Sequence, residues 1–394
     1  MIKPIKPLQN LKRRTPLGWL QLSHDQGRML VAIAGIAFAD ILIFMQLGFQ
    51  NALYSSNTRL HQAVDAELVL ISPQARNLIN PSSFSRRRLY QAMNLPEVES
   101  ADPLYLRIAT WKNPQTRKDT SILVVGFNPQ KPAFTLPEVN QYLDEIKLPD
   151  TLIFDRAARG EYKEAIAQIE QGQAVTTELE RRNVKIDGLF TIGASFAADG
   201  TLMTSDQNFL RFFPRQQAGS INVGLIQLKP DADPLQVQQT LQAYLPNDVK
   251  VLTHQEFIDF EKDYWAKNTA IGFVFNLGVA MGFIVGVIIV YQVLSTDVSD
   301  HMAEYATFKA MGYRSSYLLS IVIEEALILS LLGFIPGVGI SFGLYALTRN
   351  ATNLPLYMTL LRAGVVLMLT IIMCILSGGI ATRKLQAADP ADIF

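Results

Sequence analysis

Cysteine is nearly absent: Cys374 is the only one in 394 residues, so no intrachain disulfide can staple the fold. Histidine is scarce too. His24, His61, His254 and His301 lie far apart and show no metal-ligand spacing. Neither sign of charge dominates, with 35 Lys+Arg against 35 Asp+Glu, which removes any global pull toward nucleic acid or an acidic surface. Charged residues make up only 18% of the chain, below the roughly one quarter usual in soluble domains. No G-x-x-x-x-G-K-[ST] loop is present, so the chain does not cradle a nucleotide by itself, and no H-E-x-x-H helix is present. "GASFA" (193–197) approaches a nucleophile elbow but carries Ala197 in place of the second glycine. Arg86, Arg87 and Arg88 form a short basic run that reads as a solvated helix face. These absences argue against a hydrolase, a metalloenzyme and a nucleic-acid binder.

Apolar sequence is abundant and collects in four blocks, at 29–49, 269–293, 317–347 and 363–381. Each is close to or beyond the about 20 apolar residues that cross a bilayer as a helix. The first block exceeds the h-region of a signal peptide and is not followed by an A-x-A-like site, so it reads as an uncleaved anchor. Lys3, Lys6, Lys12, Arg13, Arg14 and Arg28 precede it; Lys309 and Arg314 lie between the second and third blocks; Arg383 and Lys384 follow the fourth. The loop between the third and fourth blocks offers Arg349 and Arg362. By the positive-inside rule both termini and the 295–316 loop are cytoplasmic, and 52–268 is a large domain on the other side.

The expected fold class is an α-helical membrane protein with four transmembrane helices and a large α/β extracytoplasmic domain between helices 1 and 2. The plan runs 1–28 (cytoplasmic amphipathic segment), 29–51 (first helix), 52–268 (outer domain), 269–294 (second helix) and 295–316 (cytoplasmic loop). It continues with 317–347 (third helix), 348–359 (outer loop), 360–382 (fourth helix) and 383–394 (tail). In the outer domain, 66–72, 104–113, 121–127, 220–229 and 249–253 read as strands, and 84–93 as a helix. A second helix is expected at 233–245, with Asp233 as N-cap, Pro234 at the first position, and Val237, Leu241, Tyr244 and Leu245 on one face. Segments 52–127 and 219–268 form a split α/β subdomain, interrupted by an insertion at 128–218. Within the insertion, "AVTTELERRNVKIDGLFTIG" alternates like an exposed antiparallel sheet.

Three acids fall inside apolar blocks. Asp40 sits near the middle of the first, and is either turned to a partner helix or wet cavity, or paired within the bundle. Glu324 and Glu325 lie about two turns into the third, where they snorkel or pair with a base such as Lys309; proton transfer is disfavoured, since no relay of further acids continues across the membrane. Glycines recur four apart: Gly278, Gly282 and Gly286 in the second block, Gly333 with Gly337 and Gly339 with Gly343 in the third. Such spacing suits close helix approach, within one protomer or at a dimer seam.

The 295–316 stretch, "STDVSDHMAEYATFKAMGYRSS", is polar and helix-patterned between two membrane-length blocks. With Asp297 as N-cap, Val298, Met302 and Tyr305 share a face with Phe308 at its edge, Glu304 lies to the side, and Gly312 ends the helix with Lys309 in the last turn. The apolar strip calls for a cover, either lipid headgroups or a groove on another protein.

"AEYATFKAMGYRSSYLLSIVIEEALILSLLGFIPG" resembles the E-[IY]-[GA]-x-x-[KR]-A-x-G segment, acid-bearing helix and glycine-rich turn of the MacB/FtsX-type (type VII) ABC permeases, and "ATRKLQAADPADIF" is similar to their C-terminal ending. "TPLGWLQLSHDQGRMLVAIAGIAFADILIFMQLGFQ", "FDRAARGEY" and "RKLQAADPADIF" resemble the DevC branch of cyanobacteria. The resemblance covers nearly the whole chain and implies a homodimer in the inner membrane that binds two copies of a separate, DevA-like ATPase. That partner would hold ATP and Mg; no cofactor or metal is implied on this chain. The 295–316 helix would be the coupling helix, with Glu304, Lys309 and Gly312 on the family's motif positions. The outer domain would be periplasmic and meet a DevB-like membrane-fusion protein and a TolC-like channel, with a glycolipid or lipid-like cargo. The chain departs from the pattern at Ala306 and Tyr305, where many relatives have Gly and Ile, which bears on docking geometry. An FtsX-like regulator, a lipoprotein-releasing permease and an anchored sensor without an ATPase are the alternatives.

Overall fold

The computed structural model describes residues 17–382, beginning with the short helix α1 (Leu17–His24). The basic residues before Arg28, most of the 1–28 segment, and the 383–394 tail with Arg383 and Lys384 lie outside the described residues. Four described helices are long and apolar enough to cross a membrane: α2 (Gln26–Ala63), α9 (Ala270–Asp300), α11 (Ser315–Thr352) and α12 (Leu360–Ala381). A large α/β domain stands between the first and the second, as the composition blocks require.

The chain divides into two compact units. The outer unit comprises Asn51–Phe273 together with Thr348–Pro355. It contains β1 (Leu68–Ile71), β2 (Phe84–Ser85), β3 (Val98–Lys112), β4 (Asp119–Phe127), β5 (Thr151–Asp155), β6 (Val175–Leu179), β7 (Arg182–Phe190), β8 (Thr201–Ser205), β9 (Ser220–Ile221), β10 (Val223–Leu228) and β11 (Lys250–Thr253). Nine of them form one sheet in the order β11-β1-β10-β3-β4-β8-β5-β7-β6. Side chains alternate across it. Leu68 and Leu70 enter one core with helices α3 (Arg87–Ala92), α5 (Lys163–Glu170), α6 (Asp206–Phe212) and α7 (Pro234–Tyr244). Val69 and Ile71 enter another with the outer end of α2, α4 (Pro137–Asn140) and α8 (His254–Lys267). Helices on both faces explain why β1 reads as a continuous apolar run, buried at all four positions.

Residues 128–218 do not build a sheet of their own. β8 continues the sheet parallel to β4, β5 and β7 pair in parallel, and β6 returns to bridge β3 at Trp111 and Leu179. Six strands therefore curl into a ring whose interior holds the buried rings of Trp111 and Phe154, stacked 5.9 Å apart. The β6–β7 hairpin alternates as expected, but Val175, Thr177, Leu179, Val184 and Ile186 are buried in that ring rather than lying on an open face.

Asp233 caps α7 by accepting the Leu235 N–H at 3.1 Å, with Pro234 at the first turn. Val237, Leu241 and Leu245 are buried, while Tyr244 is exposed, because the helix ends at that residue. The 84–93 segment is shorter than expected: a two-residue strand precedes α3. Two features lay beyond the apolar pattern. α2 runs 38 residues, about 57 Å of helix, well beyond the length that a roughly 30 Å bilayer core needs. α8 opens with a full capping box between Thr253 and Glu256 and leads into α9.

Candidate functional site

α2 is the helix around which the membrane unit packs. Gly278, Gly282 and Gly286 of α9 face it: a side chain at 282 would meet Ile43 at 3.0 Å, and one at 278 or 286 would collide with Gln46 or with Ala39 and Met373. Gly333 and Gly337 of α11 do the same toward Ile36 and Asp40. α2 returns the arrangement, with Gly35 against Ile289 and Gly48 against Tyr345. These glycines pack against helices of the same chain; close approach replaces the hydrophobic drive that lipid cannot supply. Gly339 and Gly343 have open space before them.

Asp40 is fully buried in this packing. Thr370 Oγ1 of α12 donates to its Oδ1 at 2.6 Å, while Oδ2 has no hydrogen-bond partner among the described residues. The acid is thus half-paired within the bundle. Glu325 is buried as well, and neither of its carboxylate oxygens has a hydrogen-bond partner among the described residues, while Glu324 is half-buried.

The cytoplasm-predicted segment differs from its expected form. α9 continues through Asp297 to Asp300, so Asp297 is no N-cap and Val298 belongs to the membrane helix. The short helix α10 spans Met302–Ala310 with His301 at its N-cap. It ends in a Schellman motif: Gly312 at φ +87° donates to the Lys309 carbonyl at 3.1 Å, and Tyr313 donates to that of Phe308 at 3.1 Å. The apolar strip is covered by the protein's own chain. Tyr305 is 1% exposed and packs with Val298, Leu318, Ile321 and Val322, with Met302 and Phe308 at the margin. Tyr305, Met302 and Val298 therefore fasten α10 to α9 and α11 and are not a free docking surface. Ala303, Glu304, Thr307 and Ala310 form the outward face, which continues into exposed Met311, Tyr313 and Arg314; Lys309 is half-buried. Arg28 at the start of α2 joins both Asp25 and Asp300, tying that end of α2 to the end of α9.

Residues 276–390 match the family model FtsX-like permease C-terminal. The matched part carries an FtsX-like permease domain, and it begins within α9, includes α10 and α11, and reaches past α12. Among solved structures, the periplasmic region of MacB from Actinobacillus actinomycetemcomitans is similar at a TM-score of 0.34 and 10% identity, over 51% of this chain and 94% of that one. The extracellular domain of the noncanonic ABC-type transporter YknZ from Gram-positive bacteria is similar at a TM-score of 0.30 and 13% identity, over 48% of this chain and 99% of that one.

The outer unit holds a polar site that motif reading passed over. Asp155, at the end of β5 and fully buried, accepts N–H bonds from Ala157 (3.0 Å), Ile192 (3.1 Å) and Gly193 (2.8 Å). Burial pushes its carboxyl up to about 6, against the opposing pull of those donors and of Arg59. The "GASFA" serine makes a turn: Ser195 Oγ accepts the N–H groups of Ala197 (3.1 Å) and Ala198 (3.0 Å). No helix follows it, so the elbow geometry is absent. In the basic run, Arg88 is held by Asp248 at 2.9 Å.

Proposed function

We propose that this chain is the membrane subunit of an ABC exporter, driven by ATP hydrolysis on a separate chain. The observation that carries this reading is α10, a short helix fastened by its apolar side between α9 and α11, inside the stretch that matches the FtsX-like permease domain. A helix packed this way moves as one body with two membrane helices, so a partner that displaces its outward face moves them too. Glu304, Thr307, Ala310 and Met311 are the residues such an ATPase meets, and Lys309 and Gly312 hold the end of the helix. The chain itself does no chemistry in this reading; ATP and Mg belong to the partner.

The sequence resemblance supports the finer picture: the DevC branch, a homodimer in the inner membrane with its termini inside and the outer unit in the periplasm, a DevB-like adaptor, a TolC-like channel, and a glycolipid or other lipid-like cargo. The test is purification from native membranes with mass spectrometry of the co-purified chains and lipids. A partner with a nucleotide-binding loop, an adaptor and an outer-membrane channel is the expected set. An ATPase without channel or cargo leads to a regulator like FtsX, bound lipoprotein leads to a releasing permease, and absence of any ATPase overturns the proposal.

A further inference from the structure

Three stretches join the membrane helices to the outer unit: the end of α2, the α8 segment that leads into α9, and Thr348–Pro355 between α11 and α12. Within the outer unit all three are tied together by side chains. α8 is tied to α2, because the Glu261 carboxylate lies 3.4 Å from the His61 ring and His254 Nε2 is 2.8 Å from the His61 carbonyl. The remaining ties pass through the loop 191–200, which carries no activity in the reading above.

Arg59, on the outer part of α2, donates from Nη1 to the Ile192 carbonyl at 2.7 Å. Gly193 beside it has φ +96°, and any Cβ there would strike the Arg59 guanidinium, so the close approach requires glycine. Asp155 fixes the same two residues to the end of β5 from the other side. At the far end of the loop, Arg159 donates to three acceptors at once. Nη1 reaches Asp199 Oδ1 at 3.0 Å, Nη2 reaches the Ser195 carbonyl at 3.1 Å, and Nε reaches the carbonyl of Thr352, the last residue of α11, at 3.3 Å. That carbonyl belongs to the unpaired last turn of a helix, where a guanidinium is favourable. The loop is also part of the sheet edge, since the Asp199 N–H donates to Ser121 and the Leu123 N–H to Gly200.

We propose that the loop 191–200, held by Arg59, Arg159 and Asp155, is the relay that makes α2 and α11 act on the sheet together. Arg159 and Arg59 are positioning residues of this relay. A planar fork with three separate donors suits the task; a lysine has one point charge and cannot span the three acceptors. The assignment rests on the exporter reading for its biological purpose, but the linkage itself is a property of this chain alone.

The experiment is hydrogen exchange of the full chain in lipid nanodiscs, comparing the wild type with Arg159→Ala and Arg159→Lys. Arg159 is partly exposed, and unchanged protection of β10 and β11 reports that each variant folds. Expected is exchange faster by about tenfold or more in the loop 191–200 and also in the 348–355 connection, with β10 and β11 unchanged. Exchange unchanged in 348–355, or full protection with lysine, overturns the linkage. The second arm adds the co-purified ATPase and an ATP analogue. A nucleotide-dependent change in β4 and β8 that is present in the wild type and lost in Arg159→Ala, with ATP turnover kept, supports the relay; its retention in the variant overturns it. If the wild type binds no ATPase, the exporter reading fails and the first arm alone decides the linkage.

Discussion

Asp40 and Asp155 are both fully buried aspartates, yet they sit in opposite kinds of interior. Asp155 is surrounded by donors, with three backbone N–H groups on two oxygens. Asp40 has one hydroxyl donor and a second oxygen with no hydrogen-bond partner among the described residues. The outer unit is organised by polar detail laid over a two-faced core. The membrane unit is organised by contact distance, with glycines setting how near each helix comes. A buried acid in the first is part of the scaffold; in the second it is tolerated because packing holds it.

The largest predicted effect breaks the membrane side of this contrast. Gly286→Leu places a side chain into Met373 and Ala39 and should cost several kcal/mol, enough to lose folded protein in detergent, whereas Gly339→Leu meets open space and should leave the thermal midpoint unchanged. Next comes Asp155→Ala, which strands three N–H donors and should lower outer-unit stability by about 3–5 kcal/mol in denaturant unfolding. Asp40→Asn keeps the acceptor for Thr370 and should change stability by less than about 1 kcal/mol. Equal losses for the two aspartates would erase the comparison.

A subtler prediction concerns pH. The Asp155 carboxyl titrates at about 6 in the fold against an ordinary value of 3.8, so the folded state holds the proton more tightly than the unfolded one. Its stabilising contribution is fully present below about pH 4 and is lost as pH rises through about 6, a change on the order of 2–3 kcal/mol. Asp155→Asn should flatten the unfolding free energy across that window, even though it weakens the fold overall. The smallest effect is at the surface: Arg88→Ala removes the partly exposed pair with Asp248 and should cost under about 1 kcal/mol.

Much of this architecture was legible in the residues, where the signal is local. The four apolar blocks, the Asp233–Pro234 start of α7 and the Gly312 stop of α10 each depend on a few neighbouring side chains. What escaped depends on partners distant in the chain. The apolar signal ends the first helix at 51, yet α2 continues to Ala63 because its outer end buries Leu60 and Ala63 against the sheet. The return of β6 to β3 joins Trp111 to Leu179, which no periodicity in either strand announces. The strip on α10 was evident, but its cover was not: Val298 and Tyr305 could equally have met another protein, and only the position of Leu318 and Val322 decides that they face inward. The glycine spacing likewise carried no direction, and the structure turns five of those glycines toward α2. The arginine-held loop had no sequence signature, since Arg59 and Ile192 lie 133 positions apart.

In the proposed function, α10 has an inner face fastened to its own chain and an outer face that meets the ATPase. The most direct measurement is co-purification of the cognate ATPase in detergent with three forms of the chain. Thr307→Asp alters only the outer face, and Tyr305→Phe keeps the inner packing. The wild type and Tyr305→Phe are expected to retain the ATPase, and Thr307→Asp to lose it while remaining folded. Retention by Thr307→Asp, or no ATPase with the wild type, would contradict the proposal.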